Sequence, residues 1–378
     1  MVSSLRVAIV GPLAPPAGGM AAQTKQLCDR LIAEGIDAEV VRTNPPWRPR
    51  FVAGVRGVRA LFRFIPYLWR LWCASGRCNV VHVMANSGWA WHLSAAPAVC
   101  IGKLRRRRVV VNYRGGLAEP FLERSAAWIR PTMRMADAIV VPSGFLRAVF
   151  ARFGIETMIV PNVVDTALFS PGGSAPGERA KESPHVVMTR NLEPIYDVAT
   201  GLRAFAKLRE SKPAARLSVA GDGPERAALE TLAREFGVAN SVVFRGSLSR
   251  DEIAALYRSA TLMLNSSVAD NTPNALIEAM ACGIPIVSTD AGGIRFLVRD
   301  RETALLCPTR DVDALARAML EVLDDLSLAA GLAANGREAV RGCTWDAVFP
   351  LWMRVYRPDG SATAAVAEAV GIGAGHRP

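Results

Sequence analysis

Ten short apolar runs, in two sets of five, constrain this chain more than any other feature. The first set falls at residues 6–10, 38–42, 80–84, 109–113 and 138–141. The second falls at 185–189, 216–220, 241–245, 261–265 and 284–288. Runs this short and this apolar must be covered on both faces, which is the condition of strands inside a parallel sheet. Helical spacing between runs, at 23–34 in the first half and at 197–210, 224–236, 250–258 and 274–281 in the second, supplies the crossovers. The expected class is α/β, with two doubly wound parallel sheets. Residues 170–177, Ser-Pro-Gly-Gly-Ser-Ala-Pro-Gly, read as the linker between them. At 378 residues, 51% hydrophobic and 21% charged, the chain is long enough to bury two cores. The Ala- and Gly-rich tail, 359–378, is expected to be disordered.

The formal net charge of +11 is unevenly spread: residues 1–172 hold 22 Lys and Arg against 9 Asp and Glu. A basic half implies an anionic partner such as phosphate groups, a membrane surface or nucleic acid. There is no aromatic-basic RNP pattern, zinc finger or recognition helix, so no nucleic-acid partner is expected. The seven cysteines are scattered, with neither CxxC nor a Cys/His cluster. That excludes a zinc site or disulfide framework from the expectation and fits a reducing cytosol. Residues 1–10 enter the first strand run without the apolar core and cleavage site of a signal peptide. A cytoplasmic location is expected, with peripheral attachment to the inner face of a membrane left open.

Two segments bear on that attachment. Residues 80–102 carry no formal charge, but Asn86-Ser87-Gly88 and Pro97 divide them into strand, loop and helix rather than a span. Residues 51–72 interleave Arg56, Arg59, Arg63 and Arg70 with Phe62, Phe64, Tyr67, Trp69 and Trp72. Four arginines forbid spanning, while a basic, aromatic, amphipathic helix suits the bilayer interface. The same pattern also fits a helix packed on its own sheet with its arginines in water, and both readings stay open. Arg105 to Arg108 form a charge run that is either a solvated face or a contact for lipid headgroups or phosphate.

The segment 265–293 carries the most chemistry. A strand ends at Asn265-Ser266 and a loop follows. Thr272 is placed to cap a helix with Pro273 at its first position. The free N–H groups and positive end of that helix suit an anion. Asp270 lies in the loop and Glu278 within the helix. Gly283-Ile284-Pro285 stops the helix and starts the next strand. Two carboxylates beside an anion-binding helix end can hold sugar and ribose hydroxyls.

This segment resembles the signature of the retaining GT-B glycosyltransferases of the group 1 type, glycosyltransferase family 4: an acid, seven residues, Glu, then Ala-Met-Ala-Cys-Gly-x-Pro. The resemblance extends along most of the chain. Gly221-Asp222-Gly223-Pro224 is similar to the family's Gly-Asp-Gly-Pro turn, and Phe244-Arg-Gly246 with Tyr257 to its Phe-x-Gly…Tyr segment. Pro161-Asn162-Val-Val-Asp165 with Phe169 resembles its hinge motif. The stretch from Thr344-Trp345-Asp346 to Tyr356-Arg357 resembles its closing helix. The resemblance implies two Rossmann-like domains with a cleft between them and a C-terminal helix crossing back to the first. The acceptor-side domain would be 1–172 plus about 345–358, and the nucleotide-sugar domain 180–344.

Roles follow from the resemblance position by position. Glu278 matches the glutamate that grips the donor ribose. Asp270 stands where the family has its other acid, near the hydroxyls of the transferred sugar. Backbone N–H groups across Asn271, Thr272, Pro273 and Asn274 would lie near that sugar and the phosphates. Arg190 matches the arginine that clamps the diphosphate. Gly18 and Gly19 match the glycine-rich loop after the first strand. Arg190, Asp270 and Glu278 are therefore the candidate catalytic residues. No cofactor is implied, the nucleotide-sugar being a substrate, and no metal is expected.

Three departures stand out. The lysine that partners the arginine in the family falls at Tyr196, with Arg245 or Lys25 as candidate replacements. The first-domain histidine is absent, and Asn112-Tyr113-Arg114-Gly115 occupies its stretch, so Arg114 becomes a candidate contact for donor or acceptor charge. The first acid is Asp270, one methylene shorter than glutamate. His92, just past the Asn86–Gly88 loop, is a further candidate contact and equally a structural histidine. The implied reaction is retaining transfer to a lipid-linked or membrane-associated glycan in bacterial cell-surface polysaccharide synthesis. A small soluble acceptor, or a non-catalytic binding protein on the same fold, are the alternatives.

Overall fold

The structure, a computed structural model, describes residues 5–14, 19–45, 59–172 and 183–357, the side chains of 59–62 excepted. It divides into two compact units. One comprises residues 1–161 with 349–363, the other 162–348 with 364–378.

In the first unit β1 (Arg6–Gly11), β2 (Asp37–Arg42), β3 (Val80–Ala85), β4 (Arg108–Tyr113), β5 (Ala138–Val141) and β6 (Met158–Ile159) form one sheet in the order β2-β1-β3-β4-β5-β6. Every pairing is parallel. β3 is buried at all six positions, which its unbroken run Val-Val-His-Val-Met-Ala requires. Helices α1 (Gly19–Ala33), α2 (Arg59–Arg77), α3 (Ala96–Leu104), α4 (Ala118–Met135) and α5 (Gly144–Arg152) cover the faces. The two-residue β6 is too short to show as a periodic run.

The basic, aromatic helix expected over 51–72 is observed over Arg59–Arg77. Residues 51–58 lie outside the described residues. The helix continues past Trp72 because Ala74 and Ser75, small and buried, keep its inner face against the sheet with Tyr67 and Leu71. Ile65, Trp69 and Trp72 stand at helical spacing on the other face and are exposed.

In the second unit β7 (His185–Thr189), β8 (Arg216–Ala220), β9 (Val242–Gly246), β10 (Leu262–Asn265), β11 (Ile286–Thr289) and β12 (Leu305–Cys307) pair in the order β12-β11-β10-β7-β8-β9, again all parallel. Helices α6 (Val198–Ser211), α7 (Arg226–Glu235), α8 (Arg250–Ser259), α9 (Asn274–Ala281), α10 (Val312–Asp324) and α11 (Leu326–Ala339) complete it. Two apolar clusters lie on opposite faces of this sheet, one including Phe205, Leu217 and Met319, the other Tyr257, Met263 and Leu276.

Residues 162–172, grouped by composition with the first half, pack on the second unit. The Val164 amide donates to the Cys343 carbonyl at 2.9 Å. Arg258 donates to the Leu168 carbonyl at 3.0 Å, and the Phe169 ring lies 6.2 Å from that of Tyr257. The last helix, α12 (Trp345–Tyr356), starts in the second unit, and its residues from Phe349 onward belong to the first. There Trp352 and Tyr356 pack on the buried His82 of β3, with ring centroids 4.9 and 5.9 Å away.

Candidate active site

Ligands of parallel α/β sheets bind outside the carboxyl ends of the strands, where the order reverses. In the second unit that place is the junction of β7 and β10, which are neighbours. Arg190 follows β7 and Asp270 lies in the loop after β10, so the topology alone brings them together. They form a largely buried ion pair. Arg190 Nε also donates to Asn265 Oδ1 at 3.2 Å. Asn265 is fixed in turn: its amide donates to Ser288 Oγ at 2.9 Å, and Ser267 Oγ donates to its oxygen at 2.9 Å. The Arg190 guanidinium lies over the Tyr196 ring, 5.0 Å from its centroid.

Two glycines are dictated by close approach. Gly221 has φ +146°, and a Cβ there would lie 1.9 Å from the Arg190 carbonyl oxygen. At Gly293 a Cβ would lie 1.9 Å from the Asn271 carbonyl oxygen. The Gly293 amide donates to the Asp270 carbonyl at 2.8 Å, clamping the loop. Only glycine allows backbone so near these two side chains' own backbones.

The α9 helix departs from the expected cap. Pro273, not Thr272, is the cap residue, and the helix starts at Asn274 with no side-chain cap. Asn162 packs on this end: its amide donates to the Thr272 carbonyl at 3.1 Å and to Asn274 Oδ1 at 2.7 Å. Asp270 Oδ1 accepts from the Asn271 amide at 2.8 Å. The helix end keeps its positive pole without a side-chain acceptor.

Glu278 lies just over one turn into α9. Its carboxyl makes no hydrogen bond or ion pair among the described residues. Burial pushes its pKa up to about 7, against the pull of Arg250 and Arg190. Beside it, the buried Tyr257 hydroxyl donates to the Ala275 carbonyl at 3.1 Å and meets Thr189 Oγ1 at 2.5 Å. Arg250 escaped sequence reading. It is the first residue of α8, after the Ser249–Glu252 capping box, with its guanidinium 5.4 Å from the Phe169 centroid. A cation at the positive end of a helix opposes the dipole, and that was the available signal.

Of the other candidates, Arg245 belongs to the second unit and Lys25, Gly19, His92 and Arg114 to the first. Arg245 is exposed on β9, two strands from β7. Lys25 is ion-paired with Asp29 at 2.6 Å on α1. At the family's lysine position Tyr196 stands against Arg190. Gly18 lies outside the described residues; Gly19 opens α1, with nothing crowding a Cβ there. His92 is exposed between the edges of Trp89 and Phe121. Arg114 follows β4 in the first unit, its Nε donating to Asn112 Oδ1 at 2.7 Å. No group of three or more His, Cys, Asp or Glu with metal-binding geometry occurs among the described residues.

Residues 174–339 match the family described as Glycosyl transferases group 1, and residues 17–168 match Glycosyltransferase Family 4. The chain belongs to the group 1 glycosyltransferases of family 4. This glycosyltransferase is 29% identical over 270 residues to the GDP-mannose-dependent alpha-(1-6)-phosphatidylinositol monomannoside mannosyltransferase of Mycolicibacterium smegmatis, covering 65% of this chain and 70% of that one. Among its curated relatives the matched region spans from 25% to 70% of their own length. Its fold is GT-B. It superposes on sucrose-phosphate synthase of Thermosynechococcus elongatus with a TM-score of 0.72 at 22% identity, covering 94% and 98% of the two chains. It also superposes on the HepE protein of Anabaena, solved with UDP and glucose, with a TM-score of 0.70 at 18% identity, covering 95% and 100%.

Proposed function

We propose that the protein transfers a sugar, with retention, from a nucleotide-sugar donor held by the second unit. The observation that carries this reading is Glu278, a half-buried carboxyl with no hydrogen bond or ion pair among the described residues, under the field of Arg190 and Arg250. Taking an acid partly out of water without hydrogen bonds is unfavourable, and vicinal ribose hydroxyls supply donors for it. Arg190 and the α9 end hold the diphosphate and stabilise the charge that grows on it as the glycosidic bond breaks. Asp270 orients Arg190 and accepts from a hydroxyl of the sugar. The matching acids hold hydroxyls, so the two-carboxylate scheme of hydrolases is not used, and no metal step is needed.

The acceptor is a lipid-linked or membrane-associated glycan. Support comes from the first unit, where Trp69 and Ile65 are 68% and 62% exposed on α2 and Trp128 is 82% exposed on α4. Arg70 is exposed beside them, and Arg105 lies 4.6 Å over the Trp72 ring. Aromatics and arginines arranged this way suit an anionic bilayer interface. The mycobacterial relative named for a phosphatidylinositol mannoside fits the same acceptor class. No helix among the described residues is long and apolar enough to cross a membrane. Arg114 is assigned to an anionic group of the substrate. A panel of nucleotide-sugars, assayed for transfer and for slow donor hydrolysis, tests the reading. A protein that turns over none of them and binds no nucleoside diphosphate is a binding module instead.

A further inference from the structure

A series of buried polar groups in the first unit runs from the closing helix to the carboxyl end of β4. A guanidinium only donates, so the group 2.7 Å from Arg114 Nε must be the Asn112 oxygen. The Asn112 amide nitrogen therefore points the other way, 3.0 Å from His82 Nε2. That nitrogen must accept, so the ring proton resides on Nδ1, which donates to the Tyr356 hydroxyl at 2.7 Å. One group without a choice thus fixes the asparagine amide, the histidine tautomer and the direction of the last bond. Asn112 and His82 are fully buried, and Tyr356 nearly so. Burial, aided by the Arg114 charge, holds the imidazole neutral, its pKa lowered to about 3.

Core packing alone does not call for this arrangement, since well-packed apolar residues of similar volume serve stability as well as a buried polar network does. The network ends on a cation that is itself desolvated, its pKa lowered to about 10. That cation stands at the carboxyl end of a parallel strand, where such sheets bind ligands. We infer that Tyr356, His82 and Asn112 are positioning residues: they lock the Arg114 guanidinium toward an anionic group of the substrate, so the closing helix orients a binding group in the first unit. This rests on the assignment of Arg114 made above. Loss of the Tyr356 hydroxyl frees the ring to carry its proton on Nε2. The Asn112 amide must then turn, presenting N–H groups to the arginine.

Transfer kinetics on Arg114→Gln, Tyr356→Phe and the double variant, with nitrogen-15 spectra of the His82 ring, test the inference. Arg114→Gln should lower kcat/KM for transfer roughly 10- to 150-fold, the factor for one charged hydrogen bond. Tyr356→Phe should lower it about tenfold, with nucleoside diphosphate affinity unchanged. The double variant should be no worse than Arg114→Gln alone, because both changes act on one contact. The wild-type ring should carry its proton on Nδ1, a measurement that needs no variant to fold. Wild-type protonation on Nε2, or losses that multiply in the double variant, overturns the relay alone. Unchanged kinetics in Arg114→Gln overturns the substrate role of Arg114 and the relay with it.

Discussion

Tyr196 lies face-on beneath Arg190, its ring centroid 5.0 Å from the guanidinium carbon. The family pattern puts a lysine at this place. The aromatic face keeps the remaining cation in position, while Asp270 pairs with its outer edge. Tyr196 itself is held from below, its carbonyl and that of Asp197 accepting from Ser266 Oγ at 3.2 and 2.8 Å. On the proposed reading the diphosphate meets one arginine here, where the family pattern has an arginine and a lysine. Tyr196→Lys should tighten nucleoside diphosphate binding about tenfold and steepen its salt dependence. Calorimetry at two ionic strengths checks this, and affinity that stays level or falls rejects the reading of Tyr196 as a stand-in for a cation.

Arg190→Ala should weaken diphosphate binding by about 1.5–3 kcal/mol while leaving monophosphate binding nearly unchanged. Asp270→Asn should act in the opposite sense on binding. It releases Arg190 from its ion pair, so diphosphate affinity rises, while transfer slows because the sugar loses its acceptor. A joint fall of affinity and transfer in Asp270→Asn would show that the carboxylate only holds the arginine.

The raised Glu278 pKa has a sign that can be read in stability. In the unfolded chain the carboxyl ionises near 4.5, in the folded unit at about 7. Its contribution is fully present below pH 4.5 and is lost as pH rises through 7, because ionising the half-buried acid opposes folding. Glu278→Gln removes that dependence. The melting temperature of the variant relative to wild type should therefore be higher at pH 8 than at pH 5. A difference that does not change with pH means the carboxyl is solvated in the folded protein.

Much of this could be read from the sequence. The two sheets were visible because their strands are continuous apolar runs, and α9 because Gly283-Ile284-Pro285 punctuates its end. The edge strands β6 and β12 were not, being two and three residues long. Arg190, Asp270 and Glu278 lie on one motif framework; the structure pairs Arg190 with Asp270 and sets Glu278 within reach of the Arg190 charge. Asn162, Tyr257 and Arg250 could not be chosen from pattern. Their roles come from hydrogen bonds and ring contacts made across 68 to 112 residues of chain. His82 is the clearest case: nothing near it in sequence points to Tyr356, 274 positions away.

The exposed face of α2 leads to a vesicle experiment. Trp69→Ser with Arg70→Gln should weaken binding to anionic vesicles. Stability should stay within about 0.5 kcal/mol of wild type, as both side chains are solvent-facing. Binding of wild type should exceed that to neutral vesicles and fall with salt. Wild type that ignores anionic vesicles at low salt removes the support for a lipid-borne acceptor and leaves the donor site untouched.

The central claim is that Glu278 grips the ribose of a nucleotide-sugar in the second unit. The direct measurement is calorimetric titration of nucleoside diphosphates into wild type and Glu278→Ala, with melting curves to show that both are folded. The account predicts binding of at least one nucleoside diphosphate by wild type and its loss in a folded Glu278→Ala. Equal affinity in the two proteins would contradict it.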